Sequence, residues 1–165
     1  MRLDLMQLRT MHPLLAAATA AEYAHRAAVG LGRHRHEPGV SLATLIENEA
    51  GDASLHWVRA AAGDLLQLDR LRITEDAAEA VALALVHVAL GWVVRRRLQR
   101  GEAADWLLKD PLARLVALEV SGVDEREDPH RLRKKLKQVQ RATVARRKAA
   151  CVVELMAPRA ALAVT

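Results

Sequence analysis

Two histidine-containing groups have the residue types and spacing of metal ligands. Glu22 and His25 have the Glu-x-x-His spacing, which places both side chains on one helical face. Carboxylate-bridged di-iron bundles combine two such pairs with two further glutamates from other helices, and we predict no such site here. His34, His36 and Glu37 lie in a glycine-bounded loop and could bind a metal or contact phosphate, but no distant Cys or His pair completes a zinc site. We therefore predict a solvated helix surface, a solvated loop and no bound metal.

His87 and Cys151 are the other candidates for chemistry. A general base needs a partner and a substrate cleft, and the sequence shows neither for His87, so we predict a hydrogen-bonded core histidine. Cys151 is the only cysteine and cannot form an internal disulfide, which fits a reducing cytoplasm. It lies in an apolar stretch and is predicted to be buried. The sequence thus predicts no catalytic residue, no cofactor and no enzymatic activity.

The element that must organise the chain is an uncharged run at residues 80–94. Thr74 is a plausible N-cap before it, and Arg95, Arg96 and Arg97 followed by Gly101 supply helix stop signals. We therefore predict one helix over about 75–100. At ~1.5 Å per residue the run spans about 22 Å, short of a ~30 Å hydrocarbon layer. The helix is expected to be buried among other helices, with no membrane contact.

Composition supports the same fold class. The chain has 165 residues, is rich in Ala, Leu and Arg, and contains no Phe. No stretch shows sustained apolar and polar alternation bounded by turn residues, so strand content is expected to be close to nil. Asp110-Pro111 and Asp128-Pro129 each resemble a capped helix start. We predict a single all-α domain, 1–165, folded as a helical bundle.

The positive charge is concentrated at the C-terminal end of the chain. The net charge is +5, but residues 129–165 hold ten of the 25 Lys and Arg and only one acid, Glu154. The preceding residues carry 15 basic and 19 acidic side chains. A mildly acidic body therefore bears one strongly basic segment.

That segment is predicted to form one long helix over about 129–157. Leu132, Leu136 and Val139 lie along one side as a packing stripe. A basic stripe on the opposite side can follow a nucleic-acid backbone and release counterions, without reading base sequence. The alternatives are a solvated face, an acidic protein surface or a membrane surface, and the last is disfavoured because the helix lacks a Trp, Phe or dense Leu face. The predicted nucleic-acid-binding residues are Arg133, Lys134, Lys137, Arg141 and Lys148, with Arg95, Arg96 and Arg97 as a second contact.

In this format the chain resembles the small helical subunit of CRISPR effector complexes. The resemblance rests on a small, basic, all-helical chain without catalytic residues, and on the stripe that includes Arg133, Lys137 and Arg141. It implies an accessory subunit of a cytoplasmic ribonucleoprotein complex in antiviral defence. Its expected partners are RNA or DNA, the backbone protein subunits and further copies of itself.

Two other functions stay open from the sequence. The first is a helical adaptor that binds only protein, through the apolar end 149–156 or the acidic loop 124–128. The second is a metal-dependent enzyme that uses Glu22, His25, His34 and His36. Nucleic-acid binding is the preferred interpretation because a row of Arg and Lys at helical spacing can follow a nucleic-acid backbone.

Overall fold

The computed structural model describes residues 1–64, 69–125 and 130–165, and its centre is an eight-stranded β-sheet. The predicted all-α helical bundle is therefore wrong. The elements in chain order are β1 (Arg2–Asp4), a 3-10 turn (Leu5–Gln7), α1 (Leu8–Met11), α2 (Ala17–Arg33), β2 (Val40–Ile46), β3 (Glu49–His56), α3 (Arg70–Leu90), β4 (Val93–Arg97), β5 (Trp106–Lys109), β6 (Leu115–Val123), α4 (Arg131–Val139), β7 (Arg147–Glu154) and β8 (Arg159–Val164).

The sheet is mixed, with the strand order β1-β3-β2-β8-β7-β6-β5-β4. The strands β4, β5 and β6 form an antiparallel meander at one side. The neighbouring strands β6 and β7 are parallel, and α4 lies in the crossover that parallel strands require. The strand β8 then pairs antiparallel to β7 and parallel to β2, which joins the β2–β3 hairpin to the rest of the sheet.

Both faces of β6 are covered. Val116, Leu118 and Val120 belong to the main apolar core, which the sheet forms with α2 and α3. Ala117 belongs to a second, smaller core on the opposite face, beneath Val139 of α4. Successive side chains on a strand point to opposite faces, so α3 and α4 cover opposite faces of the same strand.

The apolar run is a buried helix for most of its length, but α3 ends at Leu90 and does not continue to residue 100. Its first turn is capped by Asp69, whose side chain accepts a hydrogen bond from the Arg72 N–H at 2.9 Å. Gly91 ends the helix because it adopts a left-handed conformation, with φ of 68°. The chain then enters β4, so Arg95–Arg97 lie on an edge strand and not in a last helical turn. Among the described residues, no helix has the length and apolarity to cross a membrane.

The predicted long helix over 129–157 is also wrong. The helix α4 covers only Arg131–Val139, and β7 occupies the apolar stretch that follows. Residues 149–154 are buried because β7 lies between β6 and β8 and is covered on both faces. A strand buried on both faces reads as a continuous apolar run without alternation, and periodicity alone cannot separate it from a buried helix. The stretch after Asp110-Pro111 was expected to be a helix, but it forms β6, which is another strand buried on both faces.

Candidate active site

A polar cavity of about 230 Å³ lies where β5 begins and β6 continues beyond it. The first residue of β5, Trp106, pairs with Leu118, and within the described part of the chain no strand pairs with the rest of β6 on that side. Residues Leu71, Glu75 and Glu79 of α3 line the cavity from one face of the sheet. Arg131 and Lys135 of α4 line it from the other face. The floor consists of residues 119–122.

Two carboxylates from neighbouring strands meet in this cavity. Asp105 comes directly before β5, and its Oδ2 accepts a hydrogen bond from the backbone N–H of Val120 at 2.7 Å. Glu119 of β6 accepts hydrogen bonds at Oε1 from Lys135 Nζ at 2.7 Å and from Gln138 Nε2 at 2.8 Å. Burial, assisted by the negative charge of Glu119, raises the pKa of Asp105 to about 6. The two carboxyl groups therefore interact electrostatically in a partly dehydrated space.

Strand and helix periodicity explain why these groups converge. Leu118 and Val120 point into the main core, so Glu119 points to the face covered by α4. On α4, Arg131 and Lys135 are four residues apart and face the same way. Arg131 Nε donates a hydrogen bond to Ser121 Oγ at 2.8 Å, parallel to the Lys135 contact with Glu119.

A buried hydrogen-bond network forms the back of the cavity. The Glu79 carboxylate accepts hydrogen bonds from Tyr23 Oη at 2.7 Å, Trp106 Nε1 at 2.7 Å and the Arg97 guanidinium at 2.8 Å. Burial raises the pKa of Glu79, and the Arg97 charge and the hydrogen bonds oppose this shift. Because its oxygens are occupied by these donors, Glu79 holds α2, α3, β4 and β5 together and is not available as a ligand.

The described residues contain no group of three His, Cys, Asp or Glu side chains that could hold a metal ion. Magnesium does not require such a group, since it is commonly bound through one or two carboxylates, with water and substrate phosphates completing an octahedron. No hydrogen bond from a described residue reaches Asp105 Oδ1 or Glu119 Oε2. These two oxygens could therefore bind a hard divalent cation.

The predicted basic residues do not form one stripe. Arg133, Lys134 and Lys137 lie on the exposed outer side of α4, and Arg141 is exposed two residues beyond its end. We call these four residues the basic face. Lys148 lies on β7 instead, where its Nζ donates to Ala145 O at 2.8 Å.

The three consecutive arginines of β4 have different surroundings. Arg95 is exposed, and Arg96 forms a two-pronged ion pair with Glu102 at 2.7 and 2.9 Å. Arg97 reaches Glu79 and lines the cavity. Only this third arginine is therefore part of the site.

The histidine-containing groups have local partners. Glu22 pairs with Arg26, and His25 lies 3.6 Å from Asp64. His34 Nε2 lies 2.7 Å from Asp124 Oδ1, and His36 Nε2 lies 2.9 Å from the Leu155 carbonyl. The structure does not bring these groups to the cavity. His87 is half-buried, and its Nδ1 lies 3.2 Å from the Trp92 carbonyl.

Sequence reasoning missed Asp105, Glu119 and Lys135. The first two are 14 residues apart, and each is an ordinary acidic residue in its local context. The available signal was Glu119 and Ser121, two polar residues inside the otherwise apolar stretch of β6. Buried polar residues in a strand commonly have a partner or a function.

Comparison of the chain with protein-family models, curated proteins and solved structures gives no match.

Proposed function

We propose that this protein is a divalent-metal-dependent phosphodiesterase that cleaves the backbone of nucleic acid. The observation that supports this proposal is the convergence of Asp105, Glu119 and Lys135 in one polar cavity. Asp105 and Glu119 are paired carboxylates that could hold a metal ion. The adjacent Lys135 ammonium group could neutralise the charge of a phosphate. The proposal departs from the non-enzymatic role expected from the sequence.

Asp105 and Glu119 would hold the cation through Oδ1 and Oε2. When bound, a divalent cation polarises the phosphoryl oxygen and lowers the pKa of its water towards neutrality. Glu119 is 3% exposed, and its contacts with Lys135 and Gln138 fix the carboxylate before the cation arrives. These hydrogen bonds orient the ligand oxygen.

Lys135 and Arg131 would stabilise the phosphate during hydrolysis. In that reaction the water oxygen forms a bond to phosphorus, the bond from phosphorus to the leaving oxygen breaks, and the water loses a proton while the leaving oxygen gains one. Of its three N–H groups, Lys135 uses one for Glu119 Oε1 and one for Gln138 Oε1, and the third can donate to a non-bridging oxygen of the phosphate. A fixed donor aimed at developing negative charge is the arrangement that lowers such a barrier most.

The basic face suggests that the phosphodiester belongs to a nucleic acid. Arg131 and Lys135 point to the cavity, and the next helical positions carry Arg133, Lys134 and Lys137 on the outer side. A strand bound in the cavity can therefore continue along α4 with its phosphates against these cations. Such contacts are made to the backbone and tolerate any base sequence.

The second candidate is the non-catalytic nucleic-acid-binding accessory role expected from the sequence. The exposure of the basic face favours it, because backbone binding there does not require the carboxylates. The expected ribonucleoprotein partners and cytoplasmic location belong to this candidate. The resemblance to CRISPR small subunits stays a prediction, although an all-helical format is not the format of this fold. The protein-only adaptor also stays a prediction, although residues 126–128 of its acidic loop lie outside the described residues.

A cleavage assay separates these functions. End-labelled single-stranded DNA, duplex DNA and RNA are incubated with the protein in Mg²⁺, Mn²⁺ or EDTA. We expect cleavage with either metal, none in EDTA, and none from Glu119→Gln. The matched control is Glu102→Gln, which changes an acidic residue paired with Arg96 outside the cavity. Binding without cleavage would favour the accessory role, and neither binding nor cleavage would favour the adaptor.

A further inference from the structure

Leu71 is a large apolar side chain exposed at the rim of the cavity. It lies in the first turn of α3 and is 69% exposed. Of the strongly exposed large apolar side chains in the described residues, it is the one that lines this cavity. The rest of the lining is mainly charged or polar, so Leu71 provides a chemically distinct surface.

Helix geometry places Leu71 in line with the back of the cavity. Leu71, Glu75 and Glu79 follow at four-residue spacing, and all three line it. Leu71 is therefore about 12 Å along the helix axis from Glu79, at ~1.5 Å per residue. A nucleotide that extends from the cavity along this side of α3 would pass Glu75 and then Leu71.

An exposed leucine cannot recognise phosphate, but it can pack against the flat apolar face of a nucleobase. We infer that Leu71 contacts an unpaired base beside the scissile phosphate, and this inference rests on the proposed function. A base face is accessible when the nucleotide is unstacked, as in single strands, loops and ends. The cavity of about 230 Å³ is smaller than the ~300–1,000 Å³ pockets that enclose drug-sized ligands, so we place the scissile phosphate inside it and the base outside, against Leu71. The substrate class is therefore unpaired nucleic acid, without base-sequence preference.

Equilibrium binding tests this inference separately from cleavage. Fluorescence anisotropy is measured in EDTA on the full chain, with labelled oligothymidylate, an abasic sugar-phosphate oligomer of equal length and an oligothymidylate–oligoadenylate duplex. Leu71→Ala is compared with wild type. The matched control is Leu112→Ala, because Leu112 is 71% exposed and does not line the cavity.

We expect wild type to bind oligothymidylate more tightly than the abasic oligomer and the duplex. Leu71→Ala should weaken oligothymidylate binding about 5-fold and leave abasic binding unchanged, since partial burial of a leucine has roughly that effect. Leu112→Ala should match wild type. Unchanged oligothymidylate binding, an equal loss for the abasic oligomer, or duplex binding as tight as single-strand binding would overturn the inference. If wild type still cleaves in Mg²⁺, the proposed function would stand without it.

Discussion

Lys135 Nζ lies 2.7 Å from Glu119 Oε1, so a charged hydrogen bond joins α4 to β6 at the floor of the cavity. The Glu119 side chain is 4% exposed and that of Lys135 is 25% exposed. The contact therefore fixes a buried carboxylate and also places an ammonium group within the cavity. Both consequences can be tested independently.

Replacing Lys135 should lower kcat strongly while the protein still folds. Lys135→Met removes the donor to the phosphate, and we expect kcat to fall by roughly 10²-fold or more, as for other fixed donors to developing charge. Glu119 retains Gln138, so the loss of unfolding free energy should be about 1–3 kcal/mol. The control is Lys109→Met, which changes a lysine of β5 that lies outside both the cavity and the basic face. Equal effects of the two substitutions on kcat would contradict this role.

Asp105→Asn should stabilise the metal-free protein at neutral pH. Burial raises the pKa of Asp105 from 3.8 to about 6, so the folded state binds a proton more tightly than the unfolded state. Stability therefore decreases as pH rises from about 4 to 6, and removing the charge restores about 1–2 kcal/mol above pH 7 after discounting for partial exposure. Urea unfolding at pH 8 and pH 4 measures the effect, which should disappear at pH 4. An Asp105→Asn protein that is less stable than wild type at pH 8 would show that the ionised Asp105 carboxylate does not destabilise the folded state.

Protonation of His12 should destabilise the protein in mild acid. His12 is fully buried, its Nε2 lies 3.1 Å from the Leu83 carbonyl, and its Nδ1 accepts the Val94 N–H. Burial lowers its pKa to about 4, so the unfolded state takes up a proton first as pH falls. The stabilisation is present above about pH 6.5, and roughly 3 kcal/mol is lost between pH 6.5 and 4.

The measurement is unfolding free energy against pH for wild type and His12→Gln. The variant should be less stable at pH 7 and should have a flatter profile between pH 6.5 and 4. His25→Gln is the control, because its side chain is 46% exposed. A wild-type profile in His12→Gln would assign the acid sensitivity to another group.

Gly122→Ala should displace the start of α3. A Cβ at Gly122 would lie 2.3 Å from the Thr74 carbonyl oxygen, which is backbone and cannot rotate away. We expect a loss of about 1–3 kcal/mol in unfolding free energy, together with reduced activity because Leu71 and Glu75 move. Gly63→Ala is the matched control, since a Cβ there has nothing within 4 Å. A Gly122→Ala protein as stable as the control would show that this close packing is not required.

Charge reversal on the basic face should remove nucleic-acid binding without affecting hydrolysis of a small phosphodiester. If Arg133, Lys134, Lys137 and Arg141 each meet a phosphate, log Kd should change with log salt by a slope near 3 on single strands, at ~0.7 per contact. The Arg133→Glu, Lys137→Glu and Arg141→Glu triple variant should lose that dependence. A triple variant at Arg2, Arg59 and Arg100, all exposed elsewhere, controls for net charge. Equal binding by both triple variants would mean that the basic face is only solvated.

The fold could be predicted from local signals only in part. The apolar run gave a buried helix, and the spacing of Leu132, Leu136 and Val139 correctly separated the packing and exposed sides of α4. The strands β6 and β7 were misread because strands buried on both faces lack alternation and resemble buried helices. The alanine, leucine and arginine content of the whole chain favours helix as local propensity, and tertiary burial overrides it in these strands.

The site could not be predicted because it depends on long-range pairing. Asp105 meets Glu119 only because β5 and β6 form a hairpin, and Lys135 reaches Glu119 only because α4 crosses back over β6. Because the sequence predicted helices in place of these strands, none of these contacts could be predicted. The polar pair Glu119 and Ser121 within an apolar stretch was the one local sign.

Anomalous X-ray diffraction from crystals soaked in millimolar Mn²⁺ tests most directly whether Asp105 and Glu119 form a metal site. We predict one peak between the two carboxylates, with metal–oxygen distances of about 2.0–2.6 Å to Asp105 Oδ1 and Glu119 Oε2. The peak should disappear in crystals of Asp105→Asn. No peak in the wild-type cavity, or one that persists unchanged in Asp105→Asn, would contradict the proposed metal-dependent phosphodiesterase.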